Sequence, residues 1–450
     1  MIHPYSKIPE ISRTTSDLGV IRIPDEQDIP FSDRVRALVD TSEFRRLAQI
    51  TQLALTSRIY PGATHTRFEH ALGVYHNALA YLWQLGKDER FAETVSPHDA
   101  EVLIVAALLH DIGHWPFCHP IEDMALPDMP PHESFAEQFL GPDSELAQVL
   151  DQHWNIDPSE VLDLLAQQSN SPSSRLRRSI LSGPIDIDKM DYLQRDSQHC
   201  GVPYGKNFDR SRLIGSLIVN QQGDGLAITS KGRTAAEMMV FARYVMFSEV
   251  YWHHAVRSAT AMFARAFFEV HEHLDMTQLL LMNEPNMIRA LCNAGDGETT
   301  LLTEGLFHSH RRLHKRLGEY SVFSHADLYQ SLRRLTYQEL VHCSNRLAAL
   351  IQENIQQPVG ELDVLIDAPP IHREVEFRVD VYDPQSKVWQ ALRDISPIVN
   401  AMSNTAFDDC VKRVRIFVSE PLMGAIQALP NMEQLVQQAA NSCAAENSIS

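Results

Sequence analysis

The sequence predicts a mainly α-helical protein that closes in a small α+β region, and three observations carry this reading. Apolar residues recur at helical spacing through most of the first 356 positions, as in Phe44, Leu47, Ile50, Leu53 and Ala54. Near the C-terminus the period changes to two, with Val375, Phe377, Val379 and Val381 alternating. Gly- and Pro-marked breaks divide these runs, among them Pro61-Gly62 and the hairpin-like Gly223-Asp224-Gly225.

With 450 residues and 44% hydrophobic content the chain can bury a large core. Lys plus Arg number 39 against 58 Asp plus Glu, a formal charge of -19, which repels phosphate backbones and anionic membranes and disfavours general nucleic-acid binding. The six cysteines form no Cys-x-x-Cys pair, so neither a structural zinc knuckle nor a disulfide framework is expected. The opening residues lack signal-peptide character and no run of about 18 apolar residues occurs, which leads to the expectation of a cytoplasmic protein.

Three regions follow in order: an N-terminal arm over 1–35, a helical core over 36–357 and a small α+β region over 358–450. In the arm, residues 20–23 read as a strand, and Ser32 caps a helix running towards Leu38. In the core, helices are expected over 43–55, over 71–85 and over 99–109. An aromatic, Pro-rich turn follows, His132-Glu133 opens a further helix, and three short helices fill 144–181. Charges at helical spacing mark residues 186–196, strands at 217–219 and 226–228 form a hairpin, and one long helix spans 234–271. Helices continue to about 356. Strands are expected at 363–367, 374–382 and 412–419, and the tail after Gln434 is expected to fray.

The chemistry gathers at Ala106-Ala107-Leu108-Leu109-His110-Asp111-Ile112-Gly113-His114, where an apolar run ends in ligand-type residues. On a helix His110 and His114 would share a face, with Asp111 rotated from His110 by about 100°. His70, His110, Asp111 and Asp188 together supply two imidazoles and two carboxylates, a set that suits one divalent ion among Mn, Fe, Ni, Zn and Mg. Such an ion activates water and polarises phosphoryl oxygens, so hydrolysis of a phosphate ester is the natural reaction class. Arg67, Lys189, His114, His119, His132 and Arg243 add the cationic or proton-donating groups that a polyphosphate needs.

His70, His110-Asp111 and Asp188 resemble the H...HD...D signature of the HD-domain metal-dependent phosphohydrolases. Tyr60-Pro61-Gly62-Ala63-Thr64-His65-Thr66-Arg67-Phe68-Glu69-His70, the stretch 110–119 and the stretch 188–201 further resemble the dNTP triphosphohydrolase branch. The resemblance covers roughly residues 40–270 and implies an HD-domain helical core. It implies metal ligation by His70, His110, Asp111 and Asp188, and triphosphate contacts from Arg67, His114, Lys189 and Arg243. His119 and His132 become proton-transfer candidates beside Asp111 and His114. Gln52 and Asp196 with Tyr192 match positions that hold a sugar 3′-hydroxyl, Tyr251 matches one lining the sugar and base pocket, and His253 is a further candidate.

The implied reaction is attack of activated water at the α-phosphorus, releasing a deoxynucleoside and intact triphosphate. Two departures stand out. Ser16-Asp17-Leu18-Gly19-Val20 replaces the Asp-Pro-Ile-His-Gly-like turn of the branch, and Ala48 replaces a basic residue that helps hold a regulatory guanine nucleotide, although Asp40 keeps its acidic partner. A nucleotide substrate and a homo-oligomer are expected, with no membrane partner. The alternatives are an HD-fold phosphomonoesterase or phosphodiesterase acting on another nucleotide, and a non-catalytic nucleotide sensor.

Overall fold

The computed structural model describes residues 2–12, 18–24, 26–127, 129–371, 378–403 and 406–446. Strands β1 (Gly19–Ile23) and β2 (Glu26–Phe31) pair antiparallel in the arm, and Ser32 caps α1 (Asp33–Val39) by accepting from the Val35 N–H. The predicted strand and cap are both present.

The helix expected over 43–55 is not continuous. Ser42–Arg45 is one helical turn, Arg46–Gln49 and Ala54–Arg58 are 3₁₀ turns, and Thr51 bridges to Thr66. The reason lies in tertiary backbone pairing: the Gln52 N–H donates to the His65 carbonyl and the Arg67 N–H to the Ile50 carbonyl, so this stretch pairs with the loop ahead of the next helix.

That helix is α2 (Arg67–Leu85), capped by the Thr66 hydroxyl. It packs on α3 (Pro97–Leu109), which starts at a Ser96–Asp99 capping box and is apolar all round from Val102 onward. Beyond it come the short α4 (Cys118–Glu122) and α5 (His132–Phe135), and three short helices lie within 144–181 as expected. Helix α6 (Ile187–Cys200) lies on the other side of α2 and ends at Gly201, whose φ of 70° is the left-handed conformation glycine adopts at no steric cost.

The long helix read over 234–271 is two helices, α7 (Arg233–Met246) and α8 (His254–Val270), joined by a π-helical turn over Phe247–Tyr251. The His253 ring accepts from the Ala255 N–H and so starts α8 afresh.

The hairpin β3 (Leu217–Val219) and β4 (Leu226–Thr229) is present, but it does not stand alone. Strand β7 (Asp380–Asp383) joins β4 in parallel, and β8 (Val388–Ala391), not foreseen, pairs antiparallel with β7. Val375 and Phe377 of the predicted strand lie outside the described residues; Val379 and Val381 are buried. Strand β5 (Lys315–Tyr320), unforeseen like β2 and β8, interrupts the region read as helical. It pairs with β9 (Val414–Val418), which is buried throughout and pairs on its other edge with β6 (Val364–Asp367). The polar sequence of β5 hides a strand that lies on an edge and faces solvent on much of its length.

Helices α9 (Ala326–Arg333), α10 (Tyr337–Ile355) and α11 (Met432–Glu446) cover this sheet and enclose a hydrophobic cluster separate from the large one around α2, α3 and α8. Helix α11 overturns the expected frayed tail: Leu435, Val436, Ala439, Ala440 and Cys443 form a buried stripe against α10. Among the described residues no helix is long and apolar enough to cross a membrane.

Candidate active site

The Thr66 cap places Arg67 and His70 in the first turn of α2, where both are buried. Helix α3 ends at Leu109, one residue before His110. The expectation that His110 and His114 share a helical face therefore fails: turn bonds from the Ile112 N–H to Leu109 and from the His114 N–H to Asp111 fold this segment back. The His110 Nδ1 lies 2.9 Å from the Ala107 carbonyl, which can only accept, so this nitrogen carries the proton and Nε2 presents its lone pair.

His110 Nε2 is 3.2 Å from His70 Nε2, and Asp188 Oδ1 is 3.0 Å from the same His70 nitrogen. The ligand atoms of His70, His110 and Asp188 lie within 4.8 Å of one another, and Asp111 stands at the edge of this group, with Oδ1 3.4 Å from His110 Nε2 and Oδ2 4.0 Å from His70 Nε2. The ring of His70 is oriented from behind by Asp191 Oδ2, 2.8 Å from Nδ1. Both imidazoles thus have Nδ1 engaged by an acceptor and Nε2 turned into one space lined by carboxylates, an arrangement that fits a divalent cation. Burial alone would lower the pKa of His70, but hydrogen bonds to Asp188 and Asp191 outweigh it and push it up to about 10. A proton and a metal ion therefore compete for this nitrogen.

The predicted anion contacts surround the centre, already engaged. The Arg67 guanidinium donates to Asp111 Oδ2 at 2.7 Å, while its buried Nε has no hydrogen-bond partner among the described residues. Lys189 pairs with Asp186, the cap of α6, and its Nζ is 3.3 Å from the Gly183 carbonyl. Arg243, on α7, lies over the Phe247 ring at 5.4 Å and carries its charge towards Lys189 and Tyr192.

Asp196 is held between the His65 Nε2 at 2.9 Å and the Tyr251 hydroxyl, which donates to it at 2.6 Å. Beside them the Gln52 backbone is bonded to His65, and its side-chain oxygen is buried with no hydrogen-bond partner among the described residues. The π-helical turn is what carries Tyr251 to this place. His253 lies apart from the four-residue cluster, at the start of α8, 6.0 Å from the Tyr60 ring.

His114, His119 and His132 form a second group. The His114 and His132 rings are 4.0 Å apart, and His119 is 5.5 and 5.7 Å from them. Glu122 accepts from both the backbone N–H and the Nδ1 of His132, at 3.0 and 2.8 Å, and its other oxygen is 3.5 Å from His119. Burial, then the Arg67 charge, hold the pKa of His114 well below the usual range, so it stays neutral. Gly113 permits this closure: a Cβ there would lie 2.3 Å from the His132 carbonyl.

Sequence reasoning did not assign Asp191, His65, Glu122 or Arg195 to the site. Arg195 forks onto Asp191 with Nε–Oδ2 at 2.8 Å and Nη2–Oδ1 at 2.7 Å, and also reaches Glu69 at 2.8 Å. The available signal was the spacing of Asp188, Asp191 and Arg195 along one helix.

An HD domain model matches residues 67–196 and an HD-associated region model matches residues 208–428. The chain is 30% identical over 392 residues to an uncharacterised protein of Methanocaldococcus jannaschii, covering 86% of this chain and 76% of that one. It is 28% identical over 289 residues to the deoxynucleoside triphosphate triphosphohydrolase SAMHD1 of Homo sapiens, covering 58% of this chain but only 46% of that one. A hypothetical protein from Aquifex aeolicus shares the fold at a TM-score of 0.67 and 24% identity, over 91% of this chain and 99% of that one.

Proposed function

Because the chain belongs to the HD-domain phosphohydrolase family, we propose that it hydrolyses deoxynucleoside triphosphates to deoxynucleoside and triphosphate, using one divalent ion held by His70, His110, Asp111 and Asp188. The observation that carries this reading is the facing pair of Nε2 atoms of His70 and His110 beside two carboxylates, with Arg67 next to them and the Asp196–Tyr251 pair further along α6. When bound, the ion supplies an activated water and a polarised phosphoryl oxygen. Mn, Fe, Ni, Zn and Mg are all compatible with this donor set.

Arg67, Lys189 and Arg243 bind the anionic oxygens of the triphosphate. Arg67 and Lys189 exchange their present carboxylate partners for phosphate in doing so. Neutral His114 donates a hydrogen bond without adding charge. His119 and His132, polarised by Glu122, stand as proton donors to the leaving oxygen. Asp196 accepts from the sugar 3′-hydroxyl with Tyr192 beside it, the unmatched Gln52 side chain offers a further polar contact, and Tyr251 walls the sugar and base pocket. We also place the working protein in a homo-oligomer.

The test is incubation of the purified protein with Mn²⁺ and each of the four dNTPs, products resolved by ion exchange, with Asp111→Ala in parallel. Deoxynucleoside plus intact triphosphate, abolished in the variant, is the expected result. Orthophosphate as the product would replace this reading with a phosphomonoesterase. No consumption of any dNTP would overturn the proposed substrate.

A further inference from the structure

We infer that Glu284, from the HD-associated region, is a positioning residue for Gln52 and Arg67: it holds in register the short backbone pairing that delivers both side chains to the site. This role deepens the proposed reading and rests on it, since there Arg67 binds phosphate and Gln52 the sugar. The backbone leaves a gap at this place. Thr51 bridges antiparallel to Thr66, and the bonds that close the bridge belong to its neighbours: the Gln52 N–H donates to the His65 carbonyl and the Arg67 N–H to the Ile50 carbonyl, both at 3.0 Å. Successive N–H groups of an extended chain point to opposite sides, so the Thr51 N–H faces away from the pairing and needs another acceptor.

Glu284 supplies that acceptor. Its Oε2 takes the Thr51 N–H at 2.9 Å and the Thr51 hydroxyl at 2.6 Å, across 233 residues of sequence. Asn283-Glu284-Pro285 fixes the carboxylate in place: Asn283 caps the helix Glu284–Ala294 by accepting from the Asn286 N–H, and Pro285 lies in its first turn. Buried Met287 and Leu291 seat this helix in the larger hydrophobic cluster, where it packs on α8. The Asn283 amide adds a bond to Gln49 Oε1 at 2.6 Å.

The turn that carries His110 and Asp111 is held by different bonds. Arg46 donates to the carbonyls of Ile112 and His114 at 3.4 and 2.8 Å, and to those of Leu280 and Leu281 at 3.1 and 3.2 Å. Glu284 takes no part in this grip, and His70, His110 and Asp188 stand on α2, at the end of α3 and on α6. Loss of Glu284 therefore loosens residues 50–52 and their bond to Arg67 while the candidate metal ligands keep their supports. A residue that only stabilised the fold would weaken both.

Three full chains are compared: wild type, Glu284→Ala and Glu284→Gln. Both Thr51 bonds converge on one oxygen, so the Gln amide oxygen can take them over and only Ala removes the acceptor. Amide exchange reads the brace directly: in Glu284→Ala it is expected to speed up roughly tenfold at Thr51, Gln52 and Arg67, with α3 and α6 unchanged and Glu284→Gln close to wild type. Calorimetry of the metal-free chain with inorganic tripolyphosphate reads the site, and affinity should fall roughly tenfold in Glu284→Ala and recover in Glu284→Gln. Mn²⁺ affinity, measured by competition with a chelating dye, should hold in both variants. Unchanged exchange or unchanged tripolyphosphate affinity in Glu284→Ala, a Gln variant as impaired as the Ala variant, or Mn²⁺ affinity falling in step with tripolyphosphate affinity each overturns the positioning role. Tripolyphosphate that fails to bind wild type refutes the phosphate reading instead, and the exchange arm still decides what Glu284 holds.

Discussion

His70 uses both ring nitrogens, and this makes it the most sensitive residue of the proposed centre. Asp191 holds Nδ1 at 2.8 Å and is in turn gripped by Arg195. Replacing Asp191 by Asn keeps the shape but removes the charge that raises ring basicity, so metal affinity should fall roughly 10–100-fold, measured by competition with a chelating dye. An unchanged affinity would mean that Asp191 only braces Arg195. The same geometry sets a pH dependence. The His70 pKa is pushed up to about 10, and the metal needs the deprotonated nitrogen. Apparent affinity should therefore rise with pH by about tenfold per unit up to that value, and one proton should be released per ion bound. A flat profile between pH 7 and 9 would contradict a raised His70 pKa. At this scale the sequence was informative where a motif had a fixed spacing: it singled out His70, His110, Asp111 and Asp188, of which the structure gathers His70, His110 and Asp188 closely and leaves Asp111 at their edge. Asp191 and Glu122 were not assigned, because a carboxylate that orients a histidine looks in sequence like any charge on a solvated helix.

Between elements, the α2–α6 contact decides whether the cluster assembles. Gly73 sits where the two helices meet: a Cβ there would lie 1.9 Å from Asp191 Oδ1 and 2.4 Å from Arg195 Nη2. Both atoms belong to a buried, doubly bonded ion pair and cannot swing aside cheaply. Gly73→Ala should therefore destabilise the fold by about 1–3 kcal/mol and weaken metal binding through the displaced Asp191, read by thermal melting and by the same dye competition. Melting within about 0.5 kcal/mol of wild type would show that α6 can back away freely. Helices with strong local signals, α1, α3 and the short helices of 144–181, were legible because caps and prolines mark their ends. The breaks inside 43–55 and 234–271 were not, because distant partners make them: the loop at 65–67 in the first case, and in the second a wide turn that carries Tyr251 to Asp196.

On the scale of the whole molecule, a buried ion pair ties α8, which packs in the larger hydrophobic cluster, to β6, whose Val364 and Ile366 belong to the smaller one. Arg257 of α8 reaches Asp367 of β6 with Nε–Oδ2 at 3.0 Å and Nη2–Oδ1 at 2.6 Å. Neither partner could be matched from sequence, since 110 residues separate them and the pairing depends on β6 lying beside β9. Net charge and composition, which speak to solubility and partners, carry no information about this junction. Asp367→Ala would remove the carboxylate to which the Arg257 guanidinium donates twice and a stabilising neighbour of Arg415. The cost should be about 3–5 kcal/mol, concentrated in the smaller cluster. Amide exchange should then accelerate in β6, β9 and α11, while α2 and α6 stay protected and metal affinity is retained, because the helices that carry His70 and Asp188 pack into the larger cluster. Equal acceleration in α2 would mean that the two clusters unfold as one cooperative unit and that the ion pair stabilises α2 and α6 as much as the sheet it anchors.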